Sequence, residues 1–466
     1  MAAIITTPFR VLNAENFKED VGSSSVYLGI GKSDVWSLAT SDTTDTIPFT
    51  PGDHVDDING AWSQMIAMKK VTASDVAHVV PRHDYADGES YVAWDSKDSD
   101  IYDDKFYVLT SEFKVYKCIQ KGPSSTSVQP THTTATIPVA GADGYRWKYM
   151  YTITTSDSEK FLTKSFMPVK TLAEAPVLAD TNVNYPQQQS QINSRALATA
   201  AGIERIVIEN GGSNYDAADV FTITIEGDGS SAAAVDAGVT VVGGAVTAIA
   251  LSNVGTDYTK AKVTVTANNA SGGAVGSGCI ARAVIAPPAG HGTDPVSELG
   301  AFFSALNVQL DGNDGSDFTV GNDFRQISIV KNPYSSGTTV AGDPTLRATK
   351  GLQLGSGQNT TGFVVDQVIQ AASGGSGAKA YLVEIDATNS RLYYYQNEKT
   401  GFTPFASSDT VEGTQPSGGS ATLNTSSHTI AAEVVPGSGQ LIFLENRDPI
   451  SRSATQIEDI KCIIEF

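Results

Sequence analysis

LIFLENRDPISRSATQIEDIKCIIEF, residues Leu441–Phe466, contains two apolar runs. Leu441 to Leu444 is continuous, and Ile460 to Phe466 is interrupted by Lys461 and Glu465. Glu445-Asn446-Arg447-Asp448-Pro449 stands between them with turn chemistry and a fixed φ. The pattern predicts a buried strand pair that closes the core, because a chain end is ordered when it is tied into a sheet. The preceding segment, Ser373 to Ser427, is rich in Gly, Ser and Thr and poor in large apolar residues. Core strands placed after such a segment imply a β scaffold that is split in sequence by inserted modules.

Composition agrees with a β-rich, turn-rich globular protein of several domains. The 466 residues carry 18% charged and 8% aromatic side chains. Thirty-one basic against 51 acidic residues give a net charge of −20. Such a surface repels nucleic acid and anionic membrane. Cys118, Cys279 and Cys462 are far apart and odd in number, so neither a disulfide framework nor a zinc site is expected. The first residues, MAAIITTPFR, lack the apolar core of a secretory signal. No apolar run reaches membrane-spanning length.

Along the chain, Asn13 can cap a helix over Ala14 to Val21. VYLGIG (Val26 to Gly31) reads as a buried strand. Ile58, Trp62, Met65, Ile66 and Lys69 form a helical stripe that predicts a helix from Ile58 to Lys70. Phe106 to Ile119 has strand content. Tyr145 to Ile153 alternates, with Tyr145, Trp147, Tyr149 and Tyr151 on one face and Arg146 and Lys148 on the other. Two copies of a strand, Gly turn, Tyr, strand pattern follow. Asn210 to Tyr215 aligns on Asn253 to Tyr258 with a period of 43 residues, which predicts a small paired β-module with positive-φ glycines and core-covering tyrosines. Asp294-Pro295 caps a helix whose stripe is Val296, Leu299, Phe302, Phe303 and Leu306. Phe324 to Val330 reads as a central strand. Gly351 to His428 reads as a second module, a small antiparallel barrel or sandwich.

Catalytic signatures are missing. GIGKS (Gly29 to Ser33) has Val26 where a phosphate-binding loop needs Gly, so its glycines read as the end of a strand. The acidic runs at Asp95 to Asp104 and Asp311 to Asp317 lack the glycine and terminal glutamate of a calcium loop and read as solvated loops. The six histidines show no metal-hydrolase spacing. Arg82 and Asp84 of the Pro81 to Asp84 cluster read as a structural pair. No catalytic, cofactor-binding or metal-binding residue is singled out, and no enzyme activity is expected.

Several segments taken in order resemble a known family. They are YLGIGKSDVWS (from Tyr27), AWSQMIAMKKV (from Ala61) running on to VVPRHDY, VYKCI (from Val115), DGYRWKYMYTI (from Asp143), FRQISIVKNP (from Phe324) and the Leu441–Phe466 stretch. The family is the homodimeric baseplate wedge subunit of T-even-type contractile-tailed bacteriophages. The resemblance covers roughly residues 20–170, 295–335 and 439–466; Asp448 departs from it, and the stretch from Pro168 to Ala201 has no counterpart.

The resemblance implies a mainly β fold, a layered β-sandwich scaffold with a few short flanking helices. Residues 1–175, 290–348 and 430–466 would form this discontinuous scaffold. Two small β-modules would be inserted, 200–289 with the repeats and 350–428. The implied role is structural: joining neighbouring wedge proteins, as a homodimer, so that wedges assemble around a hub. Nucleic acid and membrane insertion are not implied, nor is any cofactor. The implied location is the virion tail baseplate, after folding and assembly in the host cytoplasm. Trp36, Trp62, Arg82, Trp147, Arg325 and Arg447 are candidate scaffold or interface anchors, and each reads equally as a core or intramolecular contact. The alternative function is a receptor- or glycan-binding tail component that uses the Gly-rich modules for recognition. A tail-associated glycan hydrolase would need an acidic pair that the sequence does not single out.

Overall fold

VYLGIG forms a strand covered on both faces, with every residue of Val26–Gly31 buried, as a continuous apolar run requires. It pairs antiparallel with Asp323–Lys331 on one side and Met65–Val71 on the other. Thr345–Arg347 and Gln440–Ser451 complete the five-stranded sheet. A side chain at Gly29 would crowd the neighbouring strands, since an added Cβ would lie 2.7 Å from Ser328 Oγ. This computed structural model describes residues 3–37, 44–133, 139–169, 202–268, 275–416 and 418–466. The 170–201 stretch without a family counterpart lies outside them.

The chain divides into two units. One comprises Met1–Glu15, Ala77–Ala305 and Ile464–Phe466, and the other Asn16–Val76 and Leu306–Ile463. The fold is mainly β, with several sheets and few helices, consistent with a β-sandwich scaffold.

Three sequence expectations change in the second unit. The helix expected from Ile58 to Lys70 spans Val55–Ser63, and the chain turns at Gln64 directly into the Met65–Val71 strand. Ile58 and Trp62 pack from the helix into the same core as Met65 and Met68. One apolar stripe therefore serves two elements, and periodicity could not separate them. The expected C-terminal strand pair is not a pair. Gln440–Ser451 joins the five-stranded sheet through Asp323–Lys331, whereas Ile457–Glu465 lies beside Phe303–Asp311 in another sheet. The expected turn at Glu445 to Pro449 runs inside the first of these strands. Phe324 pairs with Ile450 and Gln326 with Asn446, so Arg447 to Pro449 stand in a bulge. A bulge on an edge strand accommodates a proline that cannot donate to the ladder.

In the first unit, Tyr107–Leu109, Lys114–Gln120, Arg146–Thr152 and Val139–Ala140 form a four-stranded sheet in that order. Tyr145, Trp147 and Tyr149 share a core with Tyr91, Tyr116 and Cys118. Tyr151 lies in a different cluster, with Met150, Val80 and Leu299. Val115 pairs with Tyr151 and Tyr116 with Tyr149, so the bulge at Met150 turns Tyr151 to the other face. The Arg146/Lys148 face is also covered: Lys148 is buried.

The N-terminal helix begins earlier than expected, spanning Thr7–Ser23 with Asn13 inside it. Asp294 caps its helix through Val296 N and Ser297 N, but Pro295–Leu299 stops at Gly300, φ +67°. Phe303 and Leu306 belong instead to the Phe303–Asp311 strand.

The repeat module follows its 43-residue period closely. Gly212 and Gly255 have φ of +67° and +65°, and Asn214 and Asp257 have +63° and +59°. Ile203–Ser213 pairs with Ser277–Ile285, Val220–Gly227 with Ala261–Asn268, and Ala234–Val242 with Ala245–Asn253. The first strand of each copy thus pairs with the third strand of the other, and the middle strands pair together. Each buried tyrosine closes this exchange: Tyr215 Oη accepts from Cys279 N, and Tyr258 Oη accepts from Ala233 N.

Between Lys350 and Ile430, seven strands form one antiparallel sheet, ordered from Ser420–Thr422 to Thr429–Ile430. A bridge between Leu354 and Leu423 curls it back on itself. Leu352, Ile369, Leu382, Leu392 and Val411 fill the interior.

Candidate functional site

The six anchor candidates occupy defined places. Trp62 packs with Tyr27 and Met68 in the second unit's core. Trp147 stacks on Tyr145 at 5.7 Å in the first unit's core. Arg82 donates to Asp84 Oδ1 at 2.7 Å and to Thr163 O at 3.0 Å. The other three come together. Arg325 grips Asp45 with two nitrogens and also reaches Asp323. Asp45 in turn accepts from Trp36 N, and Trp36 Nε1 donates to Arg447 O at 2.9 Å. Arg447 is the exposed member, its side chain 38% accessible and 3.6 Å from Glu445.

Trp36 of this group lines a cleft of about 910 Å³ in the second unit. Its walls are the extended 49–52 segment, the Val55–Ser63 helix, the Asn397 to Phe402 loop, and Leu444 and Asn446 of the sheet-edge strand. Asp45 and Asn446 fix the first wall, since Asn446 Nδ2 donates to Phe49 O at 2.9 Å. The Phe49 and Phe402 side chains remain 51% and 61% exposed. Lys32, in the left-handed region at φ +60°, sends its amine to Asp34 and Gln64.

Beneath the cleft, Asp34 is buried and accepts from Lys32, Lys399, Tyr395 Oη and Asn397 Nδ2. Burial alone would raise its pKa, but the two ammonium groups override this and lower it. The sequence gives no sign of the constellation, because Tyr395 stands 361 residues from Asp34. GIGKSD contributes Lys32 and Asp34 to it, so the apparent phosphate loop is an internal ion-pair platform.

Two other carboxyls of this unit behave in the opposite way. Burial pushes Asp366 up to about 7, with the Asp323 charge adding to the effect and Arg325 and hydrogen bonds from Asp323 N and Ser33 opposing it. Burial pushes Glu384 up to about 7 as well, Arg347 opposing and Asp386, Asp317 and Glu433 reinforcing. A carboxyl raised in the folded state favours folding below its folded pKa, and that contribution is lost as pH rises from about 4 to about 7. Asp366→Asn keeps an acceptor for Asp323 N and removes the titration. The variant is expected to match the parent near pH 5 and to be more stable at pH 8, by on the order of 2 kcal/mol. Urea midpoints at the two pH values check this; an unchanged difference between the proteins would refute it.

The first unit carries its own buried charge cluster. Lys117 Nζ donates to Glu298 Oε2 at 3.0 Å and lies 4.5 Å from the Trp94 ring centre. His291 bridges Glu298 at 3.6 Å and Glu204 at 2.5 Å. Burial alone would raise Glu298, but Lys117 and His291 hold it down at about 2. Next to this cluster, Arg282 makes a bidentate contact with Asp95, and Arg205 donates to Ile119 O. These contacts fasten the repeat module to the sheet of its unit. Among the described residues, no three His, Cys, Asp or Glu side chains gather as a metal site would require. Among them too, no helix is long and apolar enough to cross a membrane.

A β-rich body whose buried charge clusters pair internally fits a structural protein. Residues 3–120 match the family model described as Bacteriophage T4, Gp8. The chain is similar to the baseplate wedge protein gp8 of Enterobacteria phage T4, with 24% identity over 202 residues. That match covers 36% of this chain and 60% of the phage T4 protein. Both findings support the baseplate wedge family that the motifs resemble.

Proposed function

We propose that the chain is a structural subunit of a contractile phage tail baseplate wedge, bridging neighbouring wedge proteins as the baseplate assembles. The family-model match over residues 3–120 carries this reading. It is supported by the internal pairing of the buried charges, which leaves packing and docking as the chain's business. A catalytic role has no support in these comparisons. The net charge of −20 argues against nucleic acid and membrane as partners. Folding in the reducing host cytoplasm, followed by residence in the virion baseplate, suits three unbridged cysteines. Burial pushes Cys118 and Cys462 up to about 12, which keeps them inert.

The partners in this proposal are a second copy of the chain and other wedge proteins. Ile5, Phe9 and Leu12 are exposed at helical spacing on the N-terminal segment, next to exposed Ile4. This is the surface a second copy would cover. Sedimentation velocity at micromolar concentration should show a dimer, and Phe9→Asp/Leu12→Asp should yield a folded monomer. A parent protein that stays monomeric would rule out the dimer. Co-expression with the neighbouring wedge proteins of the same phage tests bridging: a stable ternary complex is expected, and separate elution of all components would contradict it.

In a glycan-recognition role, tyrosines of the Gly-rich modules would be the rings to stack on sugars. Tyr215 and Tyr258 are instead buried and bonded to main chain, so neither presents a ring to a glycan. Removing residues 203–288 separates the two roles: loss of assembly fits the scaffold, and loss of adsorption by intact particles fits recognition.

A further inference from the structure

We infer that the 910 Å³ cleft of the second unit docks an extended peptide segment of a partner protein, one that carries an aromatic or large aliphatic side chain next to Lys or Arg. The inference concerns partner chemistry and stands whether or not the partner is a wedge protein.

Three observations converge on this chemistry. Phe49 and Phe402 line the cleft at 51% and 61% exposure, although each belongs to a segment held in place by polar contacts. Asn446 Nδ2 and Asp45 hold the first. Asn397 and Lys399, bonded to Asp34, hold the second. Rigid exposed aromatics are the anchors that interfaces use, because little side-chain entropy is lost on contact.

The charge is set by the rim. Asp56, Asp57 and Glu398 line the opening. The lysines there, Lys32 and Lys399, are both committed to Asp34 Oδ2. The available field is therefore negative and selects a basic occupant. Finally, Leu444 and Asn446 of the cleft belong to the Gln440–Ser451 strand, which stands at the edge of its sheet. An open edge suits the main chain of an extended peptide.

A second copy of this chain fits poorly. Its net charge is −20, its basic-aromatic runs in Lys114–Gln120 and Arg146–Thr152 are built into paired strands, and its exposed Phe9, beside Arg10, lies in the Thr7–Ser23 helix and not in an extended segment.

Selection of a random 12-residue peptide display library on the immobilised full chain tests the inference. Counter-selection uses the Asp56→Asn/Asp57→Asn/Phe402→Ala variant. All three positions are exposed, so its thermal melt should match the parent's. Enriched peptides should place an aromatic or large aliphatic residue beside Lys or Arg. By fluorescence anisotropy they should bind the variant at least tenfold more weakly, and they should lose affinity as salt rises. Enrichment of acidic or uncharged peptides, equal binding to the variant, or no enrichment at all would overturn the inference. Self-association of the parent that the variant abolishes would also overturn it, because the occupant would then be a second copy.

Discussion

Deleting Ile460–Phe466 is expected to abolish cooperative folding of the chain. The Ile457–Glu465 strand alternates in burial, with Glu458, Ile460 and Cys462 turned inward. Glu458 pairs with Arg452 at 3.1 Å, and Arg452 also donates to Thr319 O and Gly312 O. The deletion removes Ile460 and Cys462 from the core and opens the buried Arg452–Glu458 pair to water. It also removes the contacts of Arg10 with Glu465 and of Phe466 N with Phe302 O. Each large aliphatic side chain lost from a core costs about 2–5 kcal/mol, and a buried pair stripped of its cover adds several more. The sum approaches the roughly 5–15 kcal/mol by which a domain is stable at all. Near-ultraviolet circular dichroism should lose its signal and the melt should broaden. A soluble truncation that melts cooperatively at the parent's temperature would refute this.

Lys117→Met is expected to cost about 3–5 kcal/mol, because it leaves the Glu298 carboxylate buried with its main cation gone. His291, Gly292 N and Asp294 N still face that carboxylate, but the donors that remain do not replace a full charge at 3.0 Å. Glu298→Gln should cost less, since burial already favours the neutral amine of Lys117. The double variant should recover most of the loss, because an apolar or neutral pair of similar volume replaces a buried ion pair with little penalty. Urea midpoints of the four proteins form the cycle. A coupling below about 0.5 kcal/mol would mean that the pair contributes nothing specific.

The central strands were readable in the sequence because burial on both faces leaves a continuous apolar run, as in Val26–Gly31 and Asp323–Lys331. The repeat was readable because a left-handed backbone needs Gly or Asn and a small core needs a tyrosine at the same offset. What could not be read was register. Nothing local marks the bulge at Met150 that sends Tyr151 to a different core from Tyr149, or the bulge that holds Pro449 inside a strand. The 58–70 stripe is locally helical until Met65–Val71 finds strand partners on both sides.

The site was less legible still. A lysine in an alternating strand reads as solvent-facing, so Lys117 and Lys148 gave no warning of the buried cluster. Trp36, Arg325 and Arg447 were picked out singly, and only the fold links them, through Asp45 and the Trp36 indole. The 350–428 module also proves to be more than an attachment in the second unit. Its Tyr395, Asn397 and Lys399 satisfy Asp34, and its Asp366 accepts from Asp323 N. Removing it would strand the buried Asp34 carboxylate without Tyr395, Asn397 and Lys399.

A cryo-electron microscopy map of the phage particle that carries this chain tests the central claim most directly. Density for both units at the tail-end baseplate, within each wedge and in contact with neighbouring wedge proteins, is the result the account predicts. Density only at a fibre tip, or no density for the chain anywhere in the particle, would contradict it.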